Sequence, residues 1–305
     1  MYQPRLESHD EIRRQARGAL KAAGATDTLI VPLDAVATAV DLKQENLFEL
    51  GEDAPRGLRL KVEALRSKLM GVLAVKKKTI YVDPDLVAPR HRFTTAHEIG
   101  HHALPWQESA YQADDNHNLS NKATEVFERE ANDFAGELLF GAGRFNDTAD
   151  SEAPGIATPL ALASQYGTSA SATLRQYAEH GARPVALLVV SCYESNGLQG
   201  PFLQIMENQC VWSEAFAKRY GPLPSLLNPH LLDERQALFH VLRTLNKGVG
   251  AATEISLDTS RGQVKFAAES FCNGRLRYVL LFKKRALSGQ TRVLVGLNGK
   301  PLVAS

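Results

Sequence analysis

A five-residue segment, His97-Glu98-Ile99-Gly100-His101, constrains the fold and chemistry of this chain more than any other feature. On a helix, residues four positions apart share a face. The two imidazoles can therefore bind one metal ion at about 2.0–2.1 Å. Glu98 is rotated by one position and lies beside a water on that ion, where it can act as general base. The segment predicts a helix that carries a catalytic metal centre.

The neighbouring residues favour a buried setting for this segment. The predicted helix starts near Pro89 and ends before Pro105. Its other residues around the motif are mostly apolar, whereas a chance match on a solvent-exposed helix would lie among charges. A buried glutamate and two buried histidines need polar partners, and one metal ion satisfies all three.

A second predicted helix, Thr124–Leu139, supplies candidates for a third metal ligand. Glu128 shares a face with small residues three, four and seven positions later, and these would let the two helices approach closely. Glu128 is therefore the preferred ligand, and Glu125, one turn earlier on that face, is the alternative. Glu130 lies off the face and is expected to be a solvated charge or a partner of a ligand.

Other side chains have weaker claims on the site. Asn132 or Asp133 is a candidate to orient the free nitrogen of a histidine ligand. Tyr111 and His180 are candidates to stabilise an oxyanion, although no pattern in the sequence supports either. A cysteine ligand near the motif is not expected, because the first cysteine of the chain is Cys192.

Composition excludes several classes of protein. The chain has 305 residues, 44% hydrophobic and 23% charged, which suits two or three folded domains. Its mean hydropathy is −0.22, and no apolar run is long enough for a transmembrane helix. The first residues lack the apolar region of a signal peptide. The three cysteines are odd in number and widely spaced, which favours a reducing compartment. We expect a cytoplasmic protein.

The charge is unevenly distributed along the chain. The net charge is +1, but acidic residues predominate in 1–153 and basic residues in 184–305. This balance excludes a strongly basic nucleic-acid-binding chain as a whole. The basic last part is a candidate surface for an anionic partner, and a simply solvated surface is the favoured interpretation.

Periodicity and breaker residues predict a three-part α+β organisation, with divisions at 1–153, 154–183 and 184–305. The elements expected are a helix over 8–24, a strand leading into a helix over 29–40, a hairpin over 71–82, a polar loop over 107–119, a linker over 141–157, two short helices over 158–180, and a final domain of strands with one helix over 233–247.

The two short helices over 158–180 fit a helix-turn-helix unit. The second of them carries a single cation, Arg175, on the surface that would read DNA. DNA binding normally requires several phosphate and base contacts. A packing or protein-docking unit is therefore the favoured interpretation, and DNA binding remains open.

Two segments, Arg92 to His101 (RFTTAHEIGH) and Glu128 to Leu139 (EREANDFAGELL), resemble the ImmA/IrrE family of metallopeptidases. One departure is Phe140-Gly141, where many family members have Met-Pro. The resemblance implies a zinc-peptidase-like N-terminal domain, with His97, His101 and Glu128 as metal ligands and Glu98 as catalytic base. It implies Zn²⁺ as the metal, with Mn²⁺ serving in some members.

The resemblance also implies a middle helix-turn-helix unit and a GAF-like C-terminal α/β sandwich that acts as a sensor for a small molecule. The implied activity is one specific cleavage in a helix-turn-helix transcriptional repressor. Loss of this repressor would switch on genes of the DNA-damage and radiation response. The alternative is a non-enzymatic DNA-binding transcription regulator with a structural metal site.

Overall fold

The computed structural model describes residues 8–47, 70–107, 121–197, 200–221, 223, 231–233, 235–243 and 247–283. The polar loop expected over 107–119 lies outside the described residues from position 108 onward. Part of the helix expected over 233–247 also lies outside them.

Within the described residues, the N-terminal part combines four α-helices with a small sheet. Its helices are α1 (His9–Ala22), α2 (Leu33–Ala39), α3 (Ala88–Ala103) and α4 (Asn121–Leu139), and its strands are β1 (Lys43–Asn46), β2 (Gly71–Ala74) and β3 (Thr79–Val82). In this sheet β3 is central, parallel to β1 and antiparallel to β2. The expected hairpin is therefore confirmed, and among the described strands β2 forms an edge next to α3.

Helices α3 and α4 pack very closely against each other because small residues face one another. A Cβ added at Gly100 would lie 3.1 Å from the ring of Phe134 and 3.3 Å from the backbone of Ala131. Phe134 and Ala131 are fully buried. This contact brings side chains on the facing sides of the two helices within reach of one another.

The strand expected at the start of 29–40 is wrong, although the helix that follows it is confirmed as α2. Leu29 and Ile30 are about half exposed and lie in an irregular segment before Pro32. Their apolar character suggested a strand, but no neighbouring strand pairs with them in the described structure.

The linker expected over 141–157 is also wrong, because it contains a helix. Gly141 and Gly143 adopt positive φ angles of 70° and 114°, which end α4 and turn the chain into α5 (Arg144–Ser151). Phe145 and Ala149 on α5 are buried. The many small and polar residues of this helix gave it the composition of a linker.

The two expected short helices are present as α6 (Ala157–Gln165) and α7 (Ala170–His180). The hydroxyl of Ser169 accepts a hydrogen bond from the backbone N–H of Ala172 and caps α7, as cap chemistry predicts. Gly167 between them has a φ of 62°, in the left-handed region.

The last part is an antiparallel sheet with two helices. Its strands are β4 (Val185–Gly197), β5 (Gly200–Trp212), β6 (Leu231–Asp233), β7 (Gly248–Val249), β8 (Thr253–Thr259), β9 (Gly262–Cys272) and β10 (Arg277–Phe282), and its helices are α8 (Glu214–Tyr220) and α9 (Ala237–Arg243). The order is β6-β5-β4-β10-β9-β7, and β8 also pairs with β9.

Both faces of this sheet are covered. Leu188 and Val279 pack with α8 and α9 on one face. Leu187, Tyr278 and Leu280 pack on the other face with aromatic residues of α5 and α7 and with Tyr166, which follows α6. Strands buried on both faces have continuous apolar sequences, as in β4 and β10. The α+β class is confirmed, and the helix-turn-helix and GAF-like assignments and the domain limits stay predictions. The described residues contain no helix long and apolar enough to span a membrane.

Candidate metal centre

Helices α3 and α4 bring His97, His101 and Glu128 together on their facing sides. The Nε2 atoms of the two histidines are 3.0 Å apart. Oε2 of Glu128 lies 3.3 Å from Nε2 of His97, and its Oε1 lies 3.5 Å from Nε2 of His101. The cluster contains the preferred glutamate, and Glu125 stays exposed on the surface of α4.

These distances fit a tetrahedral metal ion. Two ligand atoms at about 2.05 Å from such an ion lie about 3.3 Å apart. Two imidazole nitrogens and the carboxylate oxygens that converge at this spacing repel one another unless a cation or a proton lies between them. Two imidazoles and one carboxylate are the ligand set of many catalytic zinc sites, in which the fourth position is left to water. The three side chains therefore fit a divalent ion such as Zn²⁺.

The charges within the cluster support one another. Hydrogen bonds from His101 and His97 lower the pKa of Glu128 well below its usual range, although its side chain is 52% exposed. Burial tends to lower the pKa of His101, but its contacts with Glu128, Glu98 and Gln107 outweigh burial and raise it. A carboxylate that stays ionised is available to bind a metal ion over a wide pH range.

The second nitrogen of each histidine is held by an amide side chain. Nδ1 of His97 lies 3.1 Å from Oδ1 of Asn132, and Nδ1 of His101 lies 2.8 Å from Oε1 of Gln107. Because an amide oxygen only accepts, each Nδ1 is the donor, and Nε2, which faces Glu128, is the nitrogen left for a metal. The suggestion that Asn132 could orient a ligand thus has a contact to support it.

Behind His101 lies a buried network that the sequence did not reveal. Gln107 is fully buried, and its amide donates to the Glu130 carboxylate at 2.9 Å. The indole of Trp106 and the hydroxyl of Ser8 donate to the same carboxylate, each at 2.7 Å. Glu130 is thus the buried partner of a ligand-supporting residue and not a solvated charge. Gln107 follows the motif by only six residues, but its role depends on the fold.

Glu98 is buried on the side of α3 that faces the small sheet. It is 7% exposed, and burial raises the pKa of its carboxyl group. The backbone N–H of Leu73 on β2 donates to it. A Cβ added at Gly71 would lie 2.5 Å from Cγ2 of Thr94 and 3.0 Å from Oε1 of Glu98. Glycine at this position therefore lets the edge strand approach the general-base candidate.

Of the two candidates for an oxyanion stabiliser, only His180 lies within the described residues, and it does not join this centre. His180 lies at the end of α7, stacked on His9 in a different cluster. Tyr111 lies outside the described residues.

The fold and the ligand set together are those expected of a metallopeptidase-like domain. Residues 56–176 match the family model described as the IrrE N-terminal-like domain, Peptidase_M78. The chain therefore contains an IrrE N-terminal-like domain. His97, Glu98, His101 and Glu128 all lie inside it. The resemblance drawn from the two helical segments is confirmed.

Comparison with solved structures gives a similar fold over most of the chain. A transcriptional regulator of Mycobacterium tuberculosis superimposes with a TM-score of 0.51 at 13% sequence identity. The match covers 90% of this chain and 76% of the regulator. At this identity the likeness concerns the fold alone. The comparison with curated protein sequences gives no match.

Proposed function

We propose that this chain is a metal-dependent endopeptidase that cleaves a helix-turn-helix transcriptional repressor and so induces genes of the DNA-damage and radiation response. The observation that carries the peptidase assignment is the position of buried Glu98 between the two-histidine, one-glutamate cluster and an edge strand. The three-part layout of the chain is also similar to that of IrrE (PprI), the radiation-response regulator of Deinococcus, and this similarity supports the choice of substrate.

His97, His101 and Glu128 would hold the ion, Zn²⁺ in the first instance and Mn²⁺ as the alternative. A divalent ion bound there polarises a peptide carbonyl and makes water a stronger nucleophile near neutral pH. Asn132 and Gln107 keep the two imidazoles in the tautomer that presents Nε2.

Glu98 would move the proton. Its carboxylate removes a proton from the attacking water and passes it to the amine of the departing peptide segment. Burial by β2 and α3 keeps bulk water from the carboxylate and fixes its direction. Since general bases of this kind contribute about 10²–10⁴-fold to the rate, its loss should nearly abolish cleavage.

The edge of β2 would bind the substrate. A strand with one unpaired edge can accept an extended peptide by backbone hydrogen bonds. In the described sheet β2 pairs only with β3, and its Gly71 end lies directly against Glu98 and Thr94. A peptide added along this edge would therefore pass in front of the general base.

The alternative, a DNA-binding regulator with a structural metal, has less support. Thr173, Gln176 and Tyr177 of α7 are buried, since this helix packs on the large sheet and on α5. The remaining outer face carries Arg175 as its one cation among the described residues, too little for strong phosphate binding. These observations favour a role of the two short helices in packing within the chain or in docking the repressor. The proposal that the GAF-like part binds a small molecule rests on family resemblance.

The test is a cleavage assay with the purified full chain and a candidate helix-turn-helix repressor, with and without Zn²⁺ or Mn²⁺. We expect one discrete cut that requires metal and that Glu98→Gln abolishes while metal binding is retained. Glu125→Gln, an exposed glutamate on α4, is the matched control and should cleave normally. Cleavage by Glu98→Gln at the wild-type rate would refute the assignment.

A further inference from the structure

A second cluster of possible metal ligands lies on another side of α4. His9 from α1, Glu137 from α4 and His180 from the end of α7 each offer a ligand atom, and these atoms lie within 4.8 Å of one another. His9 and Glu137 are buried, with 1% and 2% of their surface exposed. The rings of His9 and His180 are stacked almost parallel, with centroids 5.0 Å apart, so one ring must turn for both to direct a nitrogen at one ion.

The contact between His9 and Asp133 determines which nitrogen of His9 can bind a metal. Nδ1 of His9 lies 2.6 Å from Oδ2 of Asp133. Because an ionised carboxylate only accepts, Nδ1 carries the proton in this bond. The Nε2 atom is buried and forms no hydrogen bond within the described structure. A carboxylate that orients a histidine in this way is the usual outer partner of a metal-binding histidine.

Glu137 faces this unpartnered nitrogen. Its Oε1 atom lies 3.3 Å from Nε2 of His9, which is about the separation of two ligands on a tetrahedral ion. Arg13 donates to both oxygens of Glu137, at 2.8 and 2.9 Å. A carboxylate has about four acceptor positions, so two remain after these bonds.

Carboxylates outnumber permanent cations among the described residues of the cluster. Arg13 offsets one of the two carboxylates, Asp133 and Glu137, which leaves one negative charge beside two imidazoles. Burial lowers the pKa of His180 to about 4, which favours the neutral ring that binds a metal.

We propose that His9, Glu137 and His180 form a second metal site, of the zinc class, with Asp133 as the residue that orients His9. The ligands come from α1, α4 and α7. Metal binding would therefore fasten the first helix and the middle helices to α4. This inference does not depend on peptidase activity at the first centre.

The experiment measures zinc per chain on the full protein, stripped with a chelator, reloaded with Zn²⁺ and passed through a desalting column. The decisive variant is the double change His97→Gln/His101→Gln, which removes the first centre and leaves the second cluster untouched. We expect the zinc content to fall from two ions in the wild type to one in this variant. The double variant should also melt several degrees higher with Zn²⁺ than without it, because a ligand that binds only the folded state stabilises it.

Adding His180→Gln to the double variant should remove the remaining zinc and the thermal shift. The matched control adds His240→Gln instead, at an exposed histidine on α9. It should leave the zinc content and the thermal shift unchanged. A double variant that is folded by circular dichroism and holds no zinc would overturn the proposal. Zinc that survives His180→Gln would equally overturn it.

Discussion

Two clusters of histidine and glutamate share helix α4, and their surroundings differ. Glu128 and Glu137 are nine residues apart, which places them on opposite sides of the helix. The Glu128 cluster is open: its carboxylate is half exposed, and a strand edge and a buried general-base candidate lie beside it. The Glu137 cluster is closed: an arginine holds its carboxylate, and three helices surround it.

This difference teaches that ligand type alone does not define a catalytic site. Both clusters present two imidazoles and one carboxylate at comparable spacing. The first also lies beside a described strand edge and a buried carboxylate that can move a proton, as hydrolysis requires. The second has an arginine and a partly exposed aspartate, which hold the histidine and the glutamate in place.

The largest expected effect comes from replacing each of the two cluster glutamates by glutamine, one at a time. Glu128→Gln should weaken zinc binding at the first centre by more than about 100-fold, since loss of a ligand exceeds the 10–100-fold cost of losing its outer partner. Cleavage should disappear with it, and the second site should keep its ion. Glu137→Gln should weaken zinc binding at the second site and leave zinc binding and cleavage at the first centre unchanged. Zinc titration against a competing chelator measures the affinity of both sites. If both variants weakened the same site, the two clusters would not be separate metal sites.

A smaller effect is expected from Gln107→Leu. His101 would lose the acceptor that fixes its tautomer, and the buried carboxylate of Glu130 would lose a donor. Zinc affinity at the first centre should fall by about 10–100-fold, and the free energy of unfolding by about 1–3 kcal/mol. Chelator competition and urea unfolding are the measurements. Gln165→Leu, an exposed position on α6, is the control, and equal losses in both variants would contradict the role of Gln107.

The approach of β2 to Glu98 can be tested with Gly71→Ala. The added methyl would meet buried Thr94 at 2.5 Å, so the strand must shift. Misplacement of this size costs about 10–100-fold in cleavage rate, while zinc affinity should not change. Gly18→Ala on α1, where a Cβ meets nothing within 4 Å, should leave cleavage unchanged. Unaltered cleavage by Gly71→Ala would show that the edge strand has no part in catalysis.

The smallest effect concerns the cysteines, all of which are free. Burial raises the pKa of Cys210 to about 12 and also raises that of Cys192. Few thiolates form at pH 8, so iodoacetamide should modify these two residues far more slowly in the folded chain than in urea. Peptide mass spectrometry follows the reaction. Rapid modification of the folded chain would contradict the burial of these thiols.

The sequence allowed much of the first cluster to be predicted, because its geometry is local. The spacing of His97 and His101 and the small residues after Glu128 follow directly from helical periodicity. Glu98 is one position from His97, and its burial follows from the apolar helix around it. The confirmed helices and hairpin have similarly clear periodicity.

The features that the sequence did not reveal depend on distant contacts. Gln107 becomes a partner of His101 only because its amide is held between that histidine and Glu130 of α4. The second cluster joins residues 9, 137 and 180, and no spacing rule connects them. Helix α5 was hidden by small and polar residues, because its few apolar side chains pack on another part of the chain.

The most direct test of the central claim is the mass of the repressor fragments after incubation with this chain and Zn²⁺ in water enriched in ¹⁸O. Hydrolysis should give one pair of fragments, with a single ¹⁸O atom in the new carboxyl group, and Glu98→Gln should give none. An intact repressor, with zinc bound and the repressor folded, would contradict a peptidase acting on it. The same fragments from Glu98→Gln would contradict the role of Glu98.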